Sequence, residues 1–212
     1  RPEAECRAKW PELMDIVERK VKPDRISLPP KNAWNKDVAG RWWQFGAHRK
    51  GLDAAIEGLD RVLATAQTSN AQAFTFINNK SVYSHTLLVF PLHGFSIFSA
   101  LQSRVHQSWA AFLGPTMKDD LRYTPSDCFE TFPFPEHWQT HPALEAAGQA
   151  YYDFRAELMV ETDLGLTKTY NRFHNPDEDD PKIVRLRELH AAMDRAVLDA
   201  YGWTDVPTDC EF

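Results

Sequence analysis

Arg61-Val-Leu-Ala-Thr-Ala-Gln67, Ala73-Phe-Thr-Phe-Ile77 and Thr86-Leu-Leu-Val-Phe90 follow one another closely and decide the fold. Each is rich in β-branched or aromatic side chains, which suit the pleated, half-buried surface of a strand. Thr68-Ser-Asn70 and Asn78-Asn-Lys80 supply turn formers between them. The spacing then changes. Over Phe95–Leu113, the residues Ile97, Phe98, Leu101, Val105, Trp109 and Phe112 fall along one helical face, and Gly114-Pro115 ends the run. This order predicts a sheet with a helix lying on it.

Working outward, Leu121–Thr124 and Cys128–Phe132 read as two further short strands, after which Pro133 and Pro135 exclude interior pairing. Upstream, Glu3–Lys22 carries Trp10, Leu13, Met14, Ile16, Val17 and Val21 at helical spacing and is closed by Pro23. Pro29-Pro30 marks an extended connection into the aromatic segment Ala33–Phe45, and a short helix is expected from about Gly51 to Gly58. Downstream, helical stretches near Ala143–Glu161 and Pro181–Tyr201 flank the acidic loop Asn175–Asp180, with Gly202 suited to the last helix end. The class expected is α+β: a small mixed or mainly antiparallel sheet packed by helices, followed by a helical C-terminal segment.

The 212 residues suffice for a sizeable core, and the apolar and charged fractions of 43% and 25% are those of a globular protein. No apolar run nears the roughly 20 residues that span a bilayer, so a cytoplasmic protein with no membrane partner is expected. Cys6, Cys128 and Cys210 are far apart and odd in number, which favours reduced thiols over a disulfide framework or zinc site. The chain opens on Arg without an apolar leader, which suits a piece of a longer protein. Its net charge of −6 is divided unevenly: residues 1–135 carry +3 and residues 136–212 carry −9. A polyanionic partner would face the first part.

Leu121-Arg-Tyr-Thr-Pro-Ser-Asp-Cys-Phe-Glu-Thr-Phe-Pro-Phe-Pro135 is preceded by Gln102-Ser-Arg-Val-His-Gln-Ser-Trp109. Trp42-Trp-Gln-Phe45, Gly58-Leu-Asp-Arg61, Gly165-Leu-Thr-Lys-Thr-Tyr-Asn-Arg172, Leu189-His-Ala-Ala-Met-Asp-Arg-Ala196 and Tyr201-Gly-Trp203 extend the set over nearly the whole chain. Together they resemble the target-recognition region and C-terminal part of bacterial adenine-specific DNA methyltransferases of the restriction-modification or phage-defence type. In that family, recognition and methyltransferase regions share one polypeptide, often beside a nuclease.

The resemblance implies a module that reads double-stranded DNA and positions the target base for a catalytic domain not in this chain. The parent enzyme would use S-adenosylmethionine, and this chain would need no cofactor. The family's Asn/Asp-Pro-Pro-Tyr/Phe motif and Gly-rich cofactor turn do not occur here; Leu28-Pro-Pro-Lys31 lacks the amide and the stacking aromatic and reads as a stiff linker. On this view residues 1–32 are an N-terminal helix and linker from the absent catalytic region. Residues 33–135 form the α+β recognition core, and 136–212 the helical C-terminal segment. Partners would be DNA and the methyltransferase domain of the same polypeptide, and the chain alone would have no catalytic activity.

Three groups of residues are candidates for DNA contact. In Thr116–Thr124, Lys118 and Arg122 suit guanine N7/O6 or phosphate, Asp119 or Asp120 can accept from a cytosine amino group, and Tyr123 adds an aromatic ring. An exposed loop with one Asp buttressing the strand would explain the same residues. Lys36, Arg41, His48, Arg49 and Lys50 could neutralise phosphates around an anchored Trp42-Trp43 pair, although such a cluster is often only a solvated face. The turns at Gln67–Gln72 and Asn78–His85 carry Asn and Gln side chains that can pair with adenine, beside Lys80 and His85, but turn chemistry is the simpler reading and by itself explains Asn78-Asn79. Arg104 completes the set of cations.

Other chemistries find less support. His106 and its neighbouring serines lack the Gly-x-Ser-x-Gly elbow that would activate a nucleophile. The histidines show no His-Glu-x-x-His spacing, and Asp177-Glu-Asp-Asp180 lacks the interleaved ligands of a Ca²⁺ loop. Acidic residues there are favoured by the following helix's dipole. The alternative from another class is a protein-docking module without nucleic-acid contact, which the acidic C-terminal helices would suit.

Overall fold

The computed structural model describes residues 1–46, 49–117 and 120–208, apart from the side chains of Lys50, Thr116, Met117 and Asp120. The chain divides into two compact units, Arg1–Ala54 and Ala55–Phe212.

In the first unit, the helix expected over Glu3–Lys22 is three pieces: α1 (Glu3–Lys9), α2 (Pro11–Lys20) and α3 (Lys22–Ile26). Pro11 forces the first break. Its ring excludes the helical conformation from the residue before it, and Trp10 takes φ −140°, ψ 62°. Pro23 lies in the first turn of α3 instead of closing the segment, a position where its missing N–H costs nothing. Helix α4 (Ala33–Gly40) is N-capped by Asn32, whose Oδ1 accepts from Asn35 N at 2.8 Å. The unit's core holds Met14, Val38 and Trp42, with the cationic groups of Arg7 and Lys22 lying 5.7 and 4.7 Å from the Trp42 ring centre. Arg25 donates to the Trp42 carbonyl at 3.0 Å and to that of Gln44. α5 spans Lys50–Ile56, at the boundary between the units.

Among the described residues the second unit has two small sheets, all of whose pairings are antiparallel. β1 (Arg61–Ala66) is the middle of one, between β3 (Phe74–Asn78) and β4 (Leu87–Phe90). Val62, Leu63 and Ala64 are buried, so β1 reads as a continuous apolar run covered on both faces. β2 (Thr68–Ser69), β5 (Thr116–Met117) and β6 (Asp120–Arg122) form the other sheet, with β6 central. The expected strand at Cys128–Phe132 is instead a wide π-type turn over Pro125–Phe129. Pro125 presets its first residue, and Glu130 N closes it on the Pro125 carbonyl at 2.9 Å. A Cβ on Gly114 would lie 2.6 Å from the Ala110 carbonyl and 3.0 Å from Cys128 Sγ, so only glycine lets this turn pack so closely.

The helix expected over Phe95–Leu113 is two, α6 (Phe95–Gln102) and α7 (Arg104–Leu113), because Ser103 leaves the helical region at φ −66°, ψ 157° and N-caps α7. The break resets the buried face. α6 is buried throughout, α7 buries His106 and Ala110, and Phe112, expected inward, is 85% exposed. α8 (Pro142–Thr162) crosses α6 at Gly148, where a Cβ would meet Ser99 Oγ and the Phe95 carbonyl. Ser99 Oγ donates to the Leu144 carbonyl at 2.6 Å, and Glu145 accepts from Ser96 N at 2.7 Å, capping α6. α9 (Leu166–Phe173), unexpected from the sequence, and α10 (Pro181–Ala200) complete the helical C-terminal segment. Among the described residues no helix is long and apolar enough to cross a membrane.

At the centre of this unit is an arginine. Arg155 on α8 is 2% exposed and donates to the Phe74 carbonyl at 2.7 Å and the Tyr170 hydroxyl at 2.8 Å. Its guanidinium lies 5.2–5.9 Å from the ring centres of Phe98, Tyr151, Tyr152 and Tyr170. One side chain thus ties sheet, α6, α8 and α9 together, with carbonyl, hydroxyl and ring faces replacing water around the charge.

Candidate nucleic-acid interface

Strand periodicity separates two of the candidate residues, Arg122 at the end of β6 and Tyr123 on its continuation. Alternate side chains point to opposite faces of a strand, and Arg122 is exposed whereas Tyr123 is 2% exposed. Tyr123 is held from several sides. Its N–H donates to the Gln67 carbonyl at 2.8 Å, its ring packs edge-on against Phe74 and Phe90, and its hydroxyl lies 2.8 Å from His106 Nε2. Burial pushes the Tyr123 hydroxyl far above the usual phenol range and lowers the His106 imidazole to about 3, so both are neutral at pH 7. Tyr123 is therefore an anchor that fixes the strand carrying Arg122, not a ring offered to a base.

Arg122 pairs through its backbone with Thr68 and donates its N–H to the Pro115 carbonyl at 3.0 Å. Its guanidinium has no partner among the described residues. Asp120 begins the same strand opposite Met117. Lys118, with Asp119, lies outside the described residues.

The other cations of this unit differ. Lys80 is exposed beyond β3, in a turn made by Asn78 Oδ1 accepting from Lys80 N at 2.8 Å. Asn79 donates to the Leu59 and Ile56 carbonyls, so this Asn pair does the work of a turn. Arg104 is tied inside the fold: its N–H and Nε donate to Asp194 at 2.9 and 2.6 Å, and Nη2 donates to the Thr208 carbonyl. His190 Nδ1 meets the same carboxylate at 3.0 Å.

In the first unit Lys36 is exposed on α4 and Arg49 is exposed ahead of α5, each without a side-chain partner among the described residues. Lys50 opens α5, and His48 lies outside the described residues. Arg41 is engaged with Asp37 one turn earlier and with the Gly46 carbonyl at 3.3 Å. Trp42 is 6% exposed and Trp43 donates its indole N–H to the Arg1 carbonyl at 3.2 Å, so the pair packs the unit. Among the described residues no group of His, Cys, Asp and Glu is arranged to hold a metal ion.

Neither Arg155 nor the role of His106 as partner to Tyr123 has a signal in the local sequence; the His within the Gln102–Trp109 motif is the nearest clue.

Lys36, Arg49, Lys80 and Arg122 are thus single exposed cations on described backbone, which suits binding of an anionic surface. No curated protein matches the chain. A solved structure described as that of the type IIL restriction-modification enzyme MmeI in complex with DNA matches with a TM-score of 0.67 at 21% identity, covering 90% of this chain and 24% of that one. The chain thus spans about a quarter of that protein's length and shares its fold over that part. The family model for the MmeI target recognition domain matches residues 3–136. The chain belongs to the MmeI target-recognition-domain family.

Proposed function

We propose that this chain is the module that reads double-stranded DNA for a larger restriction-modification enzyme, presenting a target adenine to a methyltransferase domain carried elsewhere in the same polypeptide. The observation that carries this reading is the target-recognition family match over residues 3–136; it favours recognition over protein docking. Arg122, Lys36, Arg49 and Lys80 are exposed and unpartnered among the described residues, as cations that meet phosphate or a base edge must be. Lys118, Asp120 and Lys50 extend these groups along the chain. Arg41, Arg104 and Tyr123 serve by positioning, since each has an intramolecular partner.

The parent would transfer a methyl group to the adenine amino group, and cleavage by a linked nuclease belongs to the same proposal. S-adenosylmethionine would be the parent's methyl donor. The residues present do not fit it: the Pro29 carbonyl of the one Pro-Pro segment is occupied by Asn35 Nδ2 at 2.6 Å, and no Gly-rich turn precedes a helix. No step of the transfer is assigned to this chain. Its part is to hold the duplex while the base is extruded into the catalytic domain. In the parent's host the working compartment would be the cytoplasm, where such DNA lies.

The test is fluorescence anisotropy of a randomised duplex titrated with the full chain across a salt series. Dissociation constants of about 10⁻⁴–10⁻⁶ M, weakening steeply with salt, are expected. Lys36→Ala, Lys118→Ala and Arg122→Ala should each lower the salt slope by about 1 if the residue meets phosphate. Absence of binding at about 20 mM salt, where the electrostatic attraction is strongest, overturns the reading.

A further inference from the structure

Beside the strand that carries Arg122, three amide side chains converge on one cleft. Asn70 immediately follows β2, whose Thr68 pairs with Arg122; Gln107 stands on α7; Asn171 stands on α9. With Ala71, Tyr170 and His174 they line an open cleft of about 370 Å³. None of the three amides has a side-chain hydrogen bond among the described residues, although each can both donate and accept. The floor, by contrast, is fixed: the Tyr170 hydroxyl is held by Arg155 at 2.8 Å and Tyr151 at 2.9 Å. Arg172, the charged neighbour of Asn171, is locked by Glu178 and Asp180 at 2.8–3.0 Å. What the cleft offers is neutral hydrogen-bonding capacity on a rigid base.

We infer that Asn70, Gln107 and Asn171 form a second DNA-contact site, which binds one nucleotide of the duplex through uncharged hydrogen bonds at the end of the strand paired with β6. The inference rests on the DNA-reading function proposed above. Two sources of hydrogen-bonding groups on a nucleotide fit the amides: a base edge, where the Asn or Gln carbonyl accepts from adenine N6 and its NH2 donates to N7, and the sugar–phosphate oxygens, which accept from the NH2. Either makes the site differ from Arg122 in one measurable way. Uncharged donors release no counterions, so their loss weakens binding without changing its salt slope.

The experiment uses the full chain with Asn70→Ala, Gln107→Ala and Asn171→Ala, and with Gln149→Ala, an exposed amide of α8 that does not line the cleft, as control. Binding of a randomised duplex is measured across the salt series, and the sequences each variant retains from that pool are read. Each cleft variant should bind about two- to tenfold more weakly than wild type, the range for loss of one neutral hydrogen bond, with an unchanged salt slope and an unchanged melting curve. If the amides read a base, the retained pool also loses its preference at one position. If they hold the backbone, affinity falls equally for all sequences. Cleft variants that match Gln149→Ala in both affinity and preference, while wild type binds, overturn this inference alone. A wild-type chain that does not bind at low salt overturns the DNA-reading function, and this inference with it.

Discussion

His106 is held neutral by its surroundings, and acid should therefore unfold this protein through that ring. The side chain is fully buried, packed edge-on against Phe132 at 4.4 Å and tilted against Phe74 and Tyr123. Among the described residues no carboxylate interacts with it, its Nδ1 has no partner, and Nε2 meets the Tyr123 hydroxyl. Burial alone brings its pKa down from 6.5 to about 3. The folded value lies below the unfolded one, so as pH falls the unfolded chain takes the proton first. The stability linked to this ring is complete above pH 6.5 and is lost progressively down to pH 3. At about 1.4 kcal/mol per pH unit, the loss at pH 5 is about 2 kcal/mol. For a chain of this size that lowers Tm by roughly 4–8 °C.

His106→Gln keeps polar groups at the site and cannot titrate, so the variant isolates the effect. Urea unfolding at pH 7.5 and pH 5.0 should show wild type losing about 2 kcal/mol more than the variant over that interval. The weakening should be felt first at Tyr123, whose amide proton, bonded to Gln67, should show a smaller protection factor, taken against the intrinsic exchange rate at the same pH, at pH 5 than at pH 7.5. Parallel losses in the two proteins would refute the reasoning, because the ring would then carry its proton inside the fold.

Arg155→Ala should cost about 3–5 kcal/mol in urea unfolding, combining a cavity with lost donors to Phe74 and Tyr170. Arg155→Met, which refills the volume, should cost about 1–3 kcal/mol; a variant as stable as wild type would mean that desolvation of the charge outweighs its contacts. Asp194→Ala strands Arg104 and His190 and should cost about 3 kcal/mol by the same assay. Burial raises the Asp194 carboxyl, but His190 and then Arg104 more than offset it and hold it below the usual range. Its contribution is therefore present above about pH 4 and fades as pH falls toward the folded value, a slope that the alanine variant should lack. Gly148→Ala should lose about 1–3 kcal/mol in a thermal melt despite alanine's better helix propensity, since the Phe95 carbonyl of α6 occupies the space.

What could be read from the sequence depended on how local its cause is. β1, β3 and β4 were legible because β-branched and aromatic runs, bounded by turn formers, select a strand without help from distant residues. The break at Trp10 is equally local and visible in Pro11, but the apolar spacing runs on across it and so points to one continuous helix. The break at Ser103 was masked in the same way, and with it the outward face of Phe112: a single helical register drawn across residues 95–113 cannot survive one residue in the extended region. For the site, Arg122 could be singled out as a cation near a strand, but its opposite in role, Tyr123, could not. Only the arrival of His106 and Gln67 shows that this ring faces inward and that the strand is thereby held. Arg155 lies furthest from any local signal. Its partners, at positions 74 and 170, are remote in sequence, and a charged residue inside an otherwise ordinary helix reads as solvent-facing. The same holds for the amide cleft, assembled from positions 70, 107 and 171. Asn70 falls in a turn where an amide reads first as a turn former, and Gln107 and Asn171 read as ordinary helix residues; their shared chemistry arises only where β2, α7 and α9 line one cleft, a meeting of segments far apart in sequence.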